Sequence, residues 1–262
     1  MIASRIVMLP VLLIGIVSAI CSANKPSERS DYLEHGRLAL AVDIPRRSSN
    51  ISSEVYKCLR EAGYKTVFFP VYNAQKVHAP EWDPNAVSNI RQAIRAGLGV
   101  EVYINPRYNL ILKGSIQIAE VINYFNAANL KTKRIWVQVS KPEEWDQSPE
   151  SNRDFLEDMI SAAKGLGVDI GFYTNANYWI TITRDWKPEG HRLWYRKVNG
   201  PGLSGETPAN FDDFVRFGKW GRPTVKQFAR KERICGELMN QDVYDAHLMK
   251  SYGMKLKFRP RS

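Results

Sequence analysis

Between Arg37 and Val243, short apolar runs alternate with segments whose apolar residues recur at helical spacing, and this alternation is what most restricts the fold. The runs are Arg37 to Ile44, Thr66 to Tyr72, Val100 to Ile104, Ile135 to Ser140, Val168 to Tyr173, Leu193 to Lys197 and Val225 to Phe228, with a weaker one inside Ile234 to Val243. Several, such as Leu-Ala-Leu-Ala-Val in the first, are apolar at successive positions, which marks strands covered on both faces. Between them, Ile51, Val55, Leu59 and Ala62 precede Gly63; Val87, Ile90, Ile94 and Leu98 follow Asp83-Pro84; Ile118, Val121, Ile122 and Phe125 follow Ser115 as a cap. Phe155, Met159, Ala163 and Leu166 follow Ser148-Pro149. Strands joined by helices pair in parallel, because a parallel pair needs a long crossover. The sequence therefore predicts an α/β fold, a single (β/α) TIM-type barrel with an irregular last quarter. A doubly wound open sheet is the rival, but no glycine-rich phosphate loop follows the first run.

The first 23 residues carry one charge, Arg5, then an apolar run from Ile6 to Ile20 and small residues up to Ala23, the pattern of a secretory signal peptide. Residues 24–35 form a polar lead-in, 36–245 the barrel, and 246–262 a basic tail with Lys250, Lys255, Lys257, Arg259 and Arg261, expected to be solvated. The product is expected to be secreted, or held in the lumen of secretory vesicles, as a monomer without a membrane span. With Cys21 in the leader, Cys58 and Cys235 remain. In an oxidising compartment they are predicted to form one disulfide joining the first helix to the last strand. Asn50-Ile51-Ser52 is a glycosylation sequon. The formal charge of +10 suits an anionic bacterial surface as partner. No nucleic-acid recognition motif accompanies that charge, and the four histidines show no metal-ligand spacing. Neither a metal nor a cofactor is expected.

In the fourth run, Ile135-Trp136-Val137-Gln138-Val139-Ser140, strand alternation aims Gln138 and Ser140 the same way. If this strand ends at the C-terminal mouth of a barrel, those two side chains stand where barrel chemistry is done. Asp43 ends the first run in Ala-Val-Asp-Ile and reaches the same mouth. Together with Leu59 to Tyr64, Leu166 to Thr174, Leu193-Trp194-Tyr195, Phe217-Gly218-Lys219-Trp220, Lys226-Gln227-Phe228 and Cys235-Gly236, these runs resemble glycoside hydrolase family 25, the lysozyme family with a nematode branch. The resemblance covers nearly the whole chain after the leader. It implies that Asp43 lines a sugar site and that the family's Asp-x-Glu pair falls on Gln138 and Ser140. It also implies that a late family Asp falls on Asn240 of Met239-Asn240-Gln241-Asp242, with Asp242 read as facing away.

Those departures carry the functional expectation. Glycosidic cleavage needs a proton donor for the leaving oxygen and a carboxylate or acetamido group to stabilise the cationic centre. A Gln amide can bond an acetamide, but neither Gln138 nor Ser140 donates a proton at a useful pKa. Two carboxylates, Glu143 and Glu144, follow in Lys141-Pro142-Glu143-Glu144-Trp145 and are the candidates for a relocated acid, although Pro142 biases Lys141 toward an extended shape leading away from the mouth. Tyr72, Tyr103, Tyr173, Trp194 and Gln227 lie near strand ends and are candidate sugar contacts. The sequence thus points to a lysozyme-like protein of innate defence that binds peptidoglycan or a related glycan with lost or weak muramidase activity. The alternatives are an active hydrolase using Glu143 or Glu144, and a basic protein acting by charge alone.

Overall fold

A computed structural model describes residues 37–45, 50–74, 81–108, 112–249 and 255–256. The signal peptide and lead-in predicted for 1–35 lie outside these residues. Eight strands close into a barrel: β1 (Leu38–Asp43), β2 (Thr66–Asn73), β3 (Gly99–Asn105), β4 (Arg134–Gln138), β5 (Asp169–Thr174), β6 (Arg192–Arg196), β7 (Val225–Ile234) and β8 (Glu237–Asp245). Helices α1 (Ser53–Glu61), α2 (Ala86–Arg95), α3 (Gly114–Ala127), α4 (Pro149–Gly165) and α5 (Ala176–Thr183) pack outside it. From β1 round to β7 each strand is parallel to its neighbour, as the alternating sequence predicts.

The irregular last quarter has a defined form. β8 runs antiparallel to both β7 and β1 and closes the barrel between them. Its direction is set by the turn: Ile234 pairs with Glu237, and the two residues between them, Cys235 (φ 50°) and Gly236 (φ 85°), both have positive φ. Such primed two-residue turns match the twist of paired strands and join only antiparallel neighbours. The disulfide from Cys58 of α1 therefore ends in this turn rather than within a strand; the two Cα atoms are 5.9 Å apart and 177 residues apart in sequence. A covalent loop of that length is worth roughly 4–5 kcal/mol in the chain-entropy account.

Strand alternation divides the apolar residues into two cores. Val42, Val67, Phe69, Val102, Val137, Phe172 and Leu193 face the helices, meeting Leu59, Ile90, Val121, Leu156 and Met159. Ala41, Phe68, Tyr103, Trp136, Tyr173, Trp194, Val225 and Tyr244 fill the barrel. In the lower layer, the Trp136 indole N–H donates to Glu101 at 2.8 Å and Arg134 stands 3.9 Å from the same carboxylate. Burial pushes Glu101 up to about pKa 7 despite both partners.

Two sequence expectations are corrected here. Ser115 does not cap α3: the helix begins at Gly114, and the Ser115 N–H donates to Asp158 of α4 at 2.8 Å. A cap fixed by a side chain from another element leaves no local signature. Nor is the whole tail solvated. Residues Ala246–Met249 form a short helix, α6, under the barrel, where the Met249 sulfur meets Arg134 at 3.2 Å, and Lys255–Leu256 pair with Leu130–Lys131.

Gly171 of β5 faces the barrel interior, where a Cβ would lie 2.5 Å from the Trp136 ring. Trp136 is fully buried and cannot withdraw. Gly171→Ala is expected to lower stability by about 1–3 kcal/mol, the usual cost of overpacking. A urea midpoint that stays put would contradict this packing.

Candidate functional site

Asp43 is the last residue of β1 and points inward at the C-terminal mouth, only 2% exposed. Two amides hold it. Gln227 of β7 donates Nε2–H to Oδ2 at 2.6 Å, and Asn240 of β8 donates Nδ2–H to Oδ1 at 2.7 Å. The Lys231 backbone N–H donates to Asn240 Oδ1 at 3.0 Å, which turns the amino side of that amide toward Asp43. Bonds of this kind to an ionised acceptor are the stronger class. The arrangement leaves Gln227 Oε1 buried without a donor.

Asp242 corrects the expectation that it faces away. Asn240 and Asp242 are two residues apart on β8, and their β1 partners are Asp43 and Ala41, so both point into the barrel. Asp242 is fully buried; its Oδ1 accepts the Trp194 indole N–H at 2.8 Å. Its Oδ2 has no donor and neighbours Asp43. Two facing carboxylates repel, and a single proton carried by Asp242 and donated to Asp43 removes the conflict. Burial, then the Asp43 charge, holds Asp242 well above the usual carboxylate range. Burial also raises Asp43, opposed by bonds from Gln227, Asn240 and Asp242 and by the charge of Arg230. Of the two, Asp242 is held the more strongly in its protonated form, with Asp43 as the acceptor.

The aromatic candidates separate. Tyr173 stacks on Trp194 at 4.1 Å, and Phe68 lies 4.4 Å from Trp194 on another side. Trp194, fully buried, is thereby a floor that holds Asp242 and has no ring face left for a sugar. Tyr103 and Tyr173, each 8% exposed, stand at its edge with ring centroids 6.1 Å apart. Tyr72 is not with them. A bulge in β2 between Pro70 and Tyr72 shifts its phase. The ring packs outside the barrel against Trp82, with its hydroxyl donating to Glu120 of α3 at 3.3 Å.

At the end of β4, Gln138 is half-buried beside Tyr173, and its Nε2–H donates to Ser140 Oγ at 2.9 Å. The chain then turns sharply. Lys141 takes a left-handed conformation (φ 56°), not the extended one that Pro142 favours, and the Trp145 indole donates to the Ser140 carbonyl at 3.0 Å. The turn carries Glu143 and Glu144 into a separate cleft of about 330 Å³, lined also by Arg107, Tyr108, Trp145 and Asp146. Glu144 is paired there with Lys141 at 2.6 Å, and Glu143 is exposed. Asn50 is exposed just before α1. Among the described residues, no three His, Cys, Asp or Glu side chains are grouped to hold a metal.

Missed from the sequence were Arg230, which acts on Asp43, and Arg196, which acts on Tyr173. Arg196 had a usable signal, since it stands two residues beyond inward-facing Trp194 on β6.

The fold and site define a closed β/α barrel whose mouth gathers a buried acid pair, amides and tyrosines. A family model described as lysozyme-like protein 1 matches residues 34–228. Lysozyme-like protein 7 of Caenorhabditis elegans is 36% identical over 220 residues, covering 78% of this chain and 77% of its own, and lysozyme-like protein 3 of that organism is 38% identical over 208 residues, covering 79% and 67%. A probable family 25 lysozyme of Dictyostelium discoideum is 29% identical over 197 residues, covering 74% and 85%. The chain belongs to the lysozyme-like proteins of glycoside hydrolase family 25. The same fold occurs in the family 25 lysozyme of Aspergillus fumigatus, with a TM-score of 0.61 at 14% identity, covering 80% of this chain and 94% of that one.

The shared proton has a measurable consequence. A carboxyl whose folded pKa is raised contributes stability below its unfolded pKa, and that contribution is lost as pH rises through the folded value. Asp242→Asn keeps a neutral donor toward Asp43 and cannot lose it. The variant and the wild type should match in stability near pH 4 and diverge as pH rises, the variant becoming relatively more stable; Glu101 titrates in both and cancels. A difference that does not change with pH, read from urea midpoints, would refute the shared proton.

Proposed function

We propose that this is a secreted lysozyme-like protein of antibacterial defence. It binds peptidoglycan or a related glycan at the barrel mouth and cleaves it weakly or not at all. The observation that carries this is the end of β4, where Gln138 and Ser140 bond each other and supply no acid. Asp242 is the carboxyl that burial favours in the protonated form, but it is fully buried and faces Asp43, so it does not serve a leaving oxygen. Without a positioned proton donor, the leaving oxygen departs unassisted, a loss of about 10²–10⁴ in rate. The groups that remain suit binding. Asp43 and Gln227 offer acceptors to sugar hydroxyls, the Gln138 amide suits an acetamido group, and Tyr103 and Tyr173 offer apolar edges. The disulfide fits an oxidising destination, and among the described residues no helix is long and apolar enough to cross a membrane.

One observation favours a second possibility, hydrolysis with a relocated acid: the cleft that holds Glu143 and Glu144 opens between the loops after β3 and β4. The test is restoration. Gln138→Asp with Ser140→Glu should raise peptidoglycan turnover by at least about 10²-fold while affinity changes little. If the wild type already matches the restored variant, and Glu143→Gln or Glu144→Gln removes its turnover, the proposal fails and the second possibility replaces it.

A further inference from the structure

In a β/α barrel the strand N-termini and helix C-termini share one end, opposite the mouth. From β2 round to β5 this end is crowded with cations. Lys65 precedes β2, Arg95 closes α2, Lys131 and Lys133 precede β4, and Lys164 closes α4; all five are exposed. The exposed acids on the same arc are Glu61 and Asp169. Further round, the acids are engaged: Asp245 is held by Arg37 and Arg222, and Glu189 by Lys219. Arg95 and Lys164 offset the negative ends of their helices. Lys65, Lys131 and Lys133 sit in loops or beside strand starts and have no helix to serve.

Two large apolar side chains project from this end. Leu166, after α4, is 53% exposed, and Leu248, on α6, is 42% exposed. The helix that carries Leu248 is fixed to the barrel floor through Met249 on Arg134 and through Arg192 bonding the Leu248 carbonyl. The tail returns to the same end at Lys255–Leu256, beside Lys131.

The cations are spread around the barrel's circumference rather than along a groove. A linear polyanion would engage one stripe of them, whereas a planar array of anionic groups engages all at once. We infer that the base of the barrel is a docking face for an anionic lipid surface, with the cations on phosphate headgroups and Leu166 and Leu248 entering the interface. The mouth is then held away from the bilayer, toward any glycan layer above it. This does not depend on how the mouth treats its glycan.

The test is sedimentation of the disulfide-bonded protein with vesicles of phosphatidylglycerol and phosphatidylcholine, compared with phosphatidylcholine alone. Binding should require the anionic lipid and fall at high salt. Lys131→Gln with Lys133→Gln should weaken it about 25-fold, since each cation near such a surface contributes about fivefold. Leu166→Ser with Leu248→Ser should weaken vesicle binding but not retention on inorganic polyphosphate, and both variants should keep wild-type peptidoglycan binding. No preference for anionic vesicles, or no effect of the lysine changes, overturns the inference. So does vesicle binding indifferent to the leucines and fully displaced by polyphosphate, which would assign the face to a linear polyanion.

Discussion

Closure of the barrel by an antiparallel strand is the constraint on which both fold and site depend. Seven parallel strands leave β1 and β7 with open edges, and β8 satisfies both from a two-residue turn. The disulfide anchors that turn to α1. The register that results sets Asn240 opposite Asp43 and Asp242 opposite Ala41. The acid pair, the amide that holds Asp43 and the indole that holds Asp242 are thus all consequences of one hairpin.

Asp43 has a structural reason to be there. It ties β1 to β7 and β8 through Gln227 and Asn240, and its removal would leave two buried amides without an acceptor. A carboxylate at this position is therefore not by itself a sign of hydrolysis. The side chains of Gln138 and Ser140 carry no such duty; they bond each other at the end of a strand whose packing rests on Trp136, Ile135 and Val137. A site can lose its proton donor on β4 and keep its barrel, its mouth and its grip on Asp43.

Seven strands and four of the helices around the barrel were legible because each shows a simple period and each helix crosses back over its own strands. The eighth strand was legible only as a weak run inside Ile234 to Val243, and its antiparallel direction was not, since Cys235-Gly236 reads as a turn only once both residues are seen at positive φ. Side-chain direction failed where bulges intervene: the shift between Pro70 and Tyr72 expels Tyr72 from the barrel. On β8 the two-residue step from Asn240 to Asp242 was itself legible, and strand alternation applied to it puts Asp242 on the inward face with Asn240, so the expectation that it faces away misapplied the period. The left-handed turn at Lys141 was also hidden, because the Trp145 indole that fastens it acts through the Ser140 carbonyl rather than through any local sequence rule. α5 was overlooked although Asn175 caps it by accepting the Tyr178 N–H at 2.9 Å, because its eight residues follow one position after β5 and are too few to show a helical period.

The central claim is that the mouth holds glycan without a proton donor able to cut it. It is tested most directly by incubating the wild-type protein with peptidoglycan at stoichiometric amounts and following both the bound protein and newly formed reducing ends. The account predicts saturable binding and recovery of intact polymer, with no reducing ends above the protein-free control. Release of disaccharide-peptide fragments with new reducing ends would contradict it.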